Sequence, residues 1–262
     1  MGRISFIGLG LYDDSSLTLQ ALQECQEADI ILMESYTSTL VEGSIRRLEE
    51  RIGKSIELLS REQVEKGEFL AKLRRKSVVF LVPGDPMTAT THVDLRIRAH
   101  DQGFETRVVH GTSALVAVPG ILGLQHYKFG RTITIPYAQK GFRPRSPMEQ
   151  LMHNRAGGLH TLALLDIRAN ENMYMTANEG LHWLLDTGRE MGVGEINEDS
   201  LACVVARAGA PDCIARADRI GKLLGVDFGP PLHSIVIPGR LHFIEVEALK
   251  RFADAPEDIK SD

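Results

Sequence analysis

Cysteine is scarce in this chain of 262 residues: Cys25, Cys203 and Cys213 are its only three. None belongs to a Cys-x-x-Cys pair, and an odd count argues against a disulfide framework, so each is assigned to packing. No apolar run approaches the ~18 residues that signal a membrane span. The first strand begins at Arg3, which leaves no room for a signal peptide, and a reducing cytoplasm is the expected address. Positive charge is not in excess: 30 Lys and Arg face 35 Asp and Glu, for a net charge of -5. A protein built around nucleic-acid binding carries a basic face instead, so no nucleic-acid partner is expected.

Several chemistries are missing as motifs. There is no His-Glu-x-x-His, and the nine histidines, among them His92, His110, His160 and His233, are scattered without ligand spacing. No metal is expected. No Gly-x-Ser-x-Gly elbow and no phosphate loop ending in Gly-Lys-Ser/Thr occurs, which speaks against an acyl hydrolase or a nucleotide hydrolase. No internal repeat or low-complexity tract is found.

What is there is ordinary for a globular protein, with 43% hydrophobic and 25% charged residues. The length suits one large domain or two small ones. Ile4–Ile7, Ile30–Met33, Ser77–Val82 and Glu105–Val109 read as strands. Helices are expected over Leu19–Cys25, Leu40–Ile52, Val64–Arg75 and Thr91–Gln102, with a short helix or apolar turn at Ser113–Leu122. Continuous apolar strands alternating with helices predict a largely parallel sheet covered on both faces. Beyond a boundary at Phe129–Gly130 the pattern changes. Strands are expected at Arg131–Pro136, Thr161–Ile167, Leu201–Ala206 and Ser234–Ile237. A long helix is expected over Met173–Met191, a helical segment over Arg216–Leu224 and a last element over Leu241–Phe252. A polar tail follows from Ala253, and Ala138–Pro147 reads as a loop.

Three turns carry candidate chemistry. Gly8-x-Gly10-x-x-Asp13 has the form of a dinucleotide fingerprint whose third glycine is replaced, and Glu34 at the next strand end could contact a ribose. A bare tight turn explains the same glycines equally well. Pro83-Gly84-Asp85-Pro86 is more specific. It sets a glycine and a carboxylate at the carboxyl end of a strand, where ligands bind in open α/β sheets. A rigid connecting turn is the competing explanation. Gly111-Thr112-Ser113-Ala114 offers backbone N–H groups and a hydroxyl to a ligand, or simply starts a helix. Lys140, Arg143 and Arg145 are either a solvated loop or a docking surface for an acidic partner.

Together these segments resemble the tetrapyrrole methylase superfamily. The resemblance rests on Phe6-Ile7-Gly8-Leu9-Gly10-Leu11, on Leu19 to Ala28 and on Gly84-Asp85-Pro86. Within the superfamily the chain is similar to the diphthine synthase family. That match runs through Gly8–Asp13, Tyr36-Thr37-Ser38, Leu59–Glu62, Gly84–His92, Leu95–Ala99, Tyr127–Gly130 and His160-Thr161. It continues through Leu165-Asp166-Ile167, Met173–Glu179, Ala206–Gly209 and Pro238–His242, so nearly the whole chain is covered.

The resemblance implies two α/β domains, 1–129 and 130–262, with S-adenosyl-L-methionine in the inter-domain cleft and S-adenosyl-L-homocysteine as product. It implies a homodimer that methylates the amino nitrogen of a modified histidine on translation elongation factor 2, three times in archaeal members. Eukaryotic members add a methyl ester. The family's cofactor contacts fall on Leu11, Asp85, Thr88, Ser113, Ala114, Leu165, Ala208 and His233. Thr88 and Ala114 stand where relatives often carry an apolar residue, so backbone contacts are expected there. No carboxylate or histidine is singled out as a base, because burial of the acceptor amine can lower its pKa unaided. The rival readings are a precorrin-type methylase, a nicotinamide-dependent oxidoreductase and a cofactor-sensing module without turnover.

Overall fold

Short apolar strands and helices alternate from Arg3 to Val109, and they build the first of two units in the computed structural model, which describes residues 2–34, 36, 43–73, 75–138 and 143–261. This unit comprises Met1–Ser113 and Arg168–Asn172. Its elements are β1 (Arg3–Gly8), α1 (Leu19–Glu27), β2 (Ile30–Glu34), α2 (Ser44–Ile52), β3 (Glu57–Leu59), α3 (Arg61–Lys66), α4 (Phe69–Lys72), β4 (Ser77–Val82), α5 (His92–Asp101) and β5 (Glu105–Val109). The strands pair in the order β3-β2-β4-β1-β5, all parallel. Alternate side chains of the central strands enter two cores. Ile4, Phe6, Val78 and Phe80 pack with Leu95 and Ala99 of α5. Ile7, Val79 and Leu81 pack with Ala21 and Cys25 of α1 and Leu48 of α2. Burial on both faces is why these strands read as unbroken apolar runs.

Two expectations change here. The helix expected over Val64–Arg75 is broken into α3 and α4 at Gly67, which adopts φ +63. The carbonyls of Glu65 and Lys66 at the break accept from the Arg98 guanidinium at 2.9 and 2.8 Å. The helix expected from Leu40 is described from Ser44, and residues 40–42 lie outside the described ones.

The second unit comprises Ala114–Ile167 and Met173–Asp262. It holds α6 (Ala114–Leu122), β6 (Ile133–Ile135), α7 (Ser146–Ala156) and β7 (Thr161–Leu165); β8 (Ile167–Arg168) falls across the division, and β9 (Met173–Tyr174) and α8 (Ala177–Met191) follow in the second unit. β10 (Leu201–Ala206), β11 (Ile214–Arg219), α9 (Ile220–Leu223), β12 (His233–Ile237) and α10 (Phe243–Phe252) complete it. The sheet order is β11-β10-β12-β7-β6, antiparallel except for the β6–β7 pair. The transition between units falls at Ser113–Ala114 rather than at Phe129–Gly130. The reason is packing: Val118 and Leu122 of α6 join one core with Cys203, Val205 and Leu249.

Three further segments differ from expectation. Arg216–Leu224 divides evenly: Arg216–Arg219 belong to β11, which pairs along the whole of β10, and Ile220–Leu223 are helical as expected. The long helix starts at Ala177, where Thr176 and Glu179 form a capping box, and Met173–Tyr174 before it are extended. The segment after Phe252 is not a loose tail: Ala253, Ala255 and Ile259 are buried, and Ala217 donates its N–H to the Ala253 carbonyl at 2.7 Å. No helix among the described residues is long and apolar enough to cross a membrane.

Candidate functional site

In the first unit, three turns leave the carboxyl ends of β1, β4 and β5 and meet. Gly84 donates to the Gly10 carbonyl at 2.8 Å, and Gly10 donates back to the Gly84 carbonyl at 3.1 Å. The turn after β5 closes on both. A Cβ on Gly8 would lie 2.5 Å from the Gly111 nitrogen and 2.5 Å from the Gly84 oxygen, so no side chain fits there. Gly84 itself adopts φ +77, and a Cβ on it would meet nothing within 4 Å. The result is bare backbone beside open space, which is the form a ligand-cradling turn requires.

Asp85 is more internal than a ligand-facing carboxylate. It is 8% exposed. Its Oδ1 accepts the Met87 N–H at 2.9 Å and the Thr88 hydroxyl at 2.9 Å, and its Oδ2 faces His110 Nδ1 at 2.7 Å. Partial burial acts to raise its pKa, but the Met87 amide, then His110 and Thr88, outweigh burial and hold the carboxyl below its ordinary value. An ionised carboxylate only accepts, so His110 Nδ1 is the donor of this bond. From beneath, buried His92 donates through Nδ1 to the Pro86 carbonyl at 3.1 Å. Burial lowers the His92 pKa more than that bond raises it, which keeps the ring neutral. Glu34 is fully buried, 3.9 Å from His92 Nε2, and is not offered to a ribose.

Leu11, Asp85, Thr88 and Ser113 therefore lie on the three joined turns. The Leu11 carbonyl accepts from the Ser16 hydroxyl at 2.6 Å and from the Asp13 N–H at 2.8 Å, which shapes the first turn. Ser113 ends the first unit, and Ala114 opens α6 in the second.

In the second unit, Leu165, Ala208 and His233 come together at one end of the sheet. Leu165 ends β7, His233 begins β12 beside it, and Ala206, two residues before Ala208, pairs with His233. The His233 ring is fully committed: Nδ1 accepts the Ala177 N–H at 3.0 Å and Nε2 donates to the Pro230 carbonyl at 3.0 Å. Burial lowers its pKa. Its side chain is a clip between β12 and α8, which leaves only its backbone for a ligand. Arg207 holds the segment before β12, donating to the carbonyls of Phe228 at 2.6 Å and Pro230 at 2.9 Å and pairing with Asp212.

Of the basic loop, Lys140 lies outside the described residues. Arg143 is paired at 2.9 Å with Asp186 of α8 and also with Glu190, and Arg145 stands just before α7. Arg143 is thus a structural cation. The Asp85–His110 pair was not expected from sequence, since its members stand 25 positions apart. Its signal is positional: His110 directly follows β5 and precedes Gly111.

The chain matches the model of the Tetrapyrrole (Corrin/Porphyrin) Methylases over residues 3–223. It is 44% identical over 254 residues to the diphthine synthase of Methanothermobacter thermautotrophicus, covering 97% of this chain and 96% of the relative. It is 45% identical over 247 residues to the diphthine synthase of Methanocaldococcus jannaschii, covering 93% and 96%. A solved diphthine synthase structure superposes with a TM-score of 0.88 at 37% identity, covering 97% of each chain.

Proposed function

This chain belongs to the tetrapyrrole (corrin/porphyrin) methylase family, and we propose that it acts as a diphthine synthase on translation elongation factor 2. It is an S-adenosylmethionine-dependent methyltransferase of diphthamide biosynthesis. The acceptor is the amino nitrogen of the modified histidine, methylated three times to give diphthine. The working form is a homodimer in the cytoplasm. The observation that carries this reading is the near full-length likeness to diphthine synthases, joined to a bare backbone cradle at the carboxyl ends of β1, β4 and β5.

The cofactor, when bound, supplies a methyl group already activated by the positive sulfonium. The protein's task is to hold nitrogen, carbon and sulfur in line, and orientation supplies most of the rate. The residues present fit that group. Open space beside Gly84 admits it, and Gly8 and Gly111 let three backbones stand close enough to form its floor. The contacts are assigned to Leu11, Asp85, Thr88 and Ser113 in the first unit. In the second they are assigned to Ala114, Leu165, Ala208 and His233. Thr88, Ala114 and His233 act through backbone. Asp85 organises its turn and retains spare lone pairs for a ligand hydroxyl or amine.

The test offers labelled cofactor with elongation factor 2 or with a tetrapyrrole acceptor. Label is expected in the protein acceptor alone. S-adenosylhomocysteine is expected to raise the melting temperature while NAD leaves it unchanged. Labelled tetrapyrrole, or protection by NAD, contradicts the proposal.

A further inference from the structure

Two histidines hold the Pro83–Pro86 turn, and they differ in one respect. His92 is 1% exposed and sits beneath the turn as a prop. His110 is 74% exposed at the side chain, is fixed through Nδ1 by Asp85, and has no partner for Nε2 among the described residues. The carboxylate sets the tautomer and steadies the ring when it becomes cationic, which is the arrangement that makes an imidazole an effective proton acceptor.

His110 also lines a recess of about 410 Å³ that wraps the open edge of β5. Charged groups reach the recess from each neighbouring element: Glu24 from α1, Arg96 from α5 and Arg107 from β5. Arg107 pairs with Glu24 at 3.4 Å and with Glu105 at 2.9 Å, and Arg96 bonds the Thr106 hydroxyl at 3.1 Å. Arg107 and Glu24 offset one another, whereas Arg96 bonds a neutral hydroxyl.

We propose that His110 is the proton acceptor of the methyl transfer, a role that rests on the methyltransferase function above. His110 Nε2 removes a proton from the acceptor ammonium, and the neutral amine attacks the methyl carbon. The new N–C bond forms as the S–C bond breaks, and its electron pair stays on sulfur to give the neutral thioether. His110 then releases its proton to water. The cycle runs once before each of three transfers, removing three protons in all. The trimethylated nitrogen has neither proton nor lone pair, so the acceptor amine is exhausted.

The test compares His110→Asn and His110→Ala with the wild type in single-turnover methylation of elongation factor 2, with S-adenosylhomocysteine binding measured by calorimetry. An asparagine amide stands near the place of Nδ1 and can still donate to Asp85, but it takes no proton. His110→Asn is expected to bind the product and to lose about 10²-fold or more in rate near neutral pH, and His110→Ala to lose at least as much rate. Added imidazole should partly restore the rate of His110→Ala. A His110→Asn enzyme with wild-type rate, or one that loses product binding, assigns His110 to the turn and overturns the proposal. A wild type that binds the product yet labels no elongation factor overturns the function itself and this role with it.

Discussion

Gly8, Gly84 and Gly111 do different work in the same cradle, and substitution separates them. Gly8→Ala drives a methyl group into the Gly84 carbonyl and the Gly111 amide. The turns must part to admit it, at a cost of about 1–3 kcal/mol, and cofactor binding should fail in calorimetry. Unchanged affinity would mean that the cradle is not the cofactor floor. Asp85→Ala removes the acceptor of three bonds, to Met87, Thr88 and His110, without touching either core. Weaker binding of S-adenosylmethionine with a retained melting transition is the expected result, and retained binding would remove the turn from the site. At this scale the sequence was a partial guide. The position of Asp85 after a strand marked it, but the direction of its side chain depends on Thr88 and His110. His233 was legible as a position and not as a role, because its ring is consumed by Ala177 and Pro230, far from it in sequence or set by a bend.

Among the elements, the segment that feeds β12 depends on one cation. Arg207 is nearly buried and donates to two carbonyls and to Asp212. Arg207→Ala leaves those carbonyls without their donor and should lower unfolding stability by about 2–4 kcal/mol in denaturant titration. Arg207→Lys should recover little, because one ammonium cannot reproduce a planar fork of donors. A change of less than about 0.5 kcal/mol, the scale of an ordinary surface substitution, would show that the clamp is idle. Strands were the readable elements: Ser77–Val82, Glu105–Val109 and Leu201–Ala206 stand where their apolar runs place them. Helix ends and edges were less so. Gly67 breaks a helix whose freed carbonyls are served by Arg98, over thirty residues away. β11 carries the half-buried pattern of an edge, which in sequence resembles a charged helix. The unit boundary moved for a similar reason, since only packing shows that α6 belongs with β10 and α10.

Among the described residues, three buried histidines have pKa values that burial lowers from the ordinary 6.5: His92, His160 and His233. His160 keeps this direction although Glu245 at 3.0 Å opposes it. A base that is harder to protonate folded than unfolded contributes full stability above its unfolded pKa, and that contribution falls away as pH drops through and below about 6.5. The lowered carboxyl groups of Asp85 and Glu245 act in a lower window, near and below 4.5. The free energy of unfolding should therefore decline between pH 7 and pH 5, by up to about 1.4 kcal/mol per pH unit for each histidine, and the melting temperature should fall with it. Flat stability across that range would contradict the lowering of these three pKa values.

The central claim is tested most directly by mass spectrometry of the elongation factor after incubation with this protein and S-adenosylmethionine. The account predicts a modified histidine heavier by successive methyl increments that stop at three on nitrogen, with S-adenosylhomocysteine formed in equal amount. An acceptor of unchanged mass, with a competent factor and bound cofactor, would contradict it.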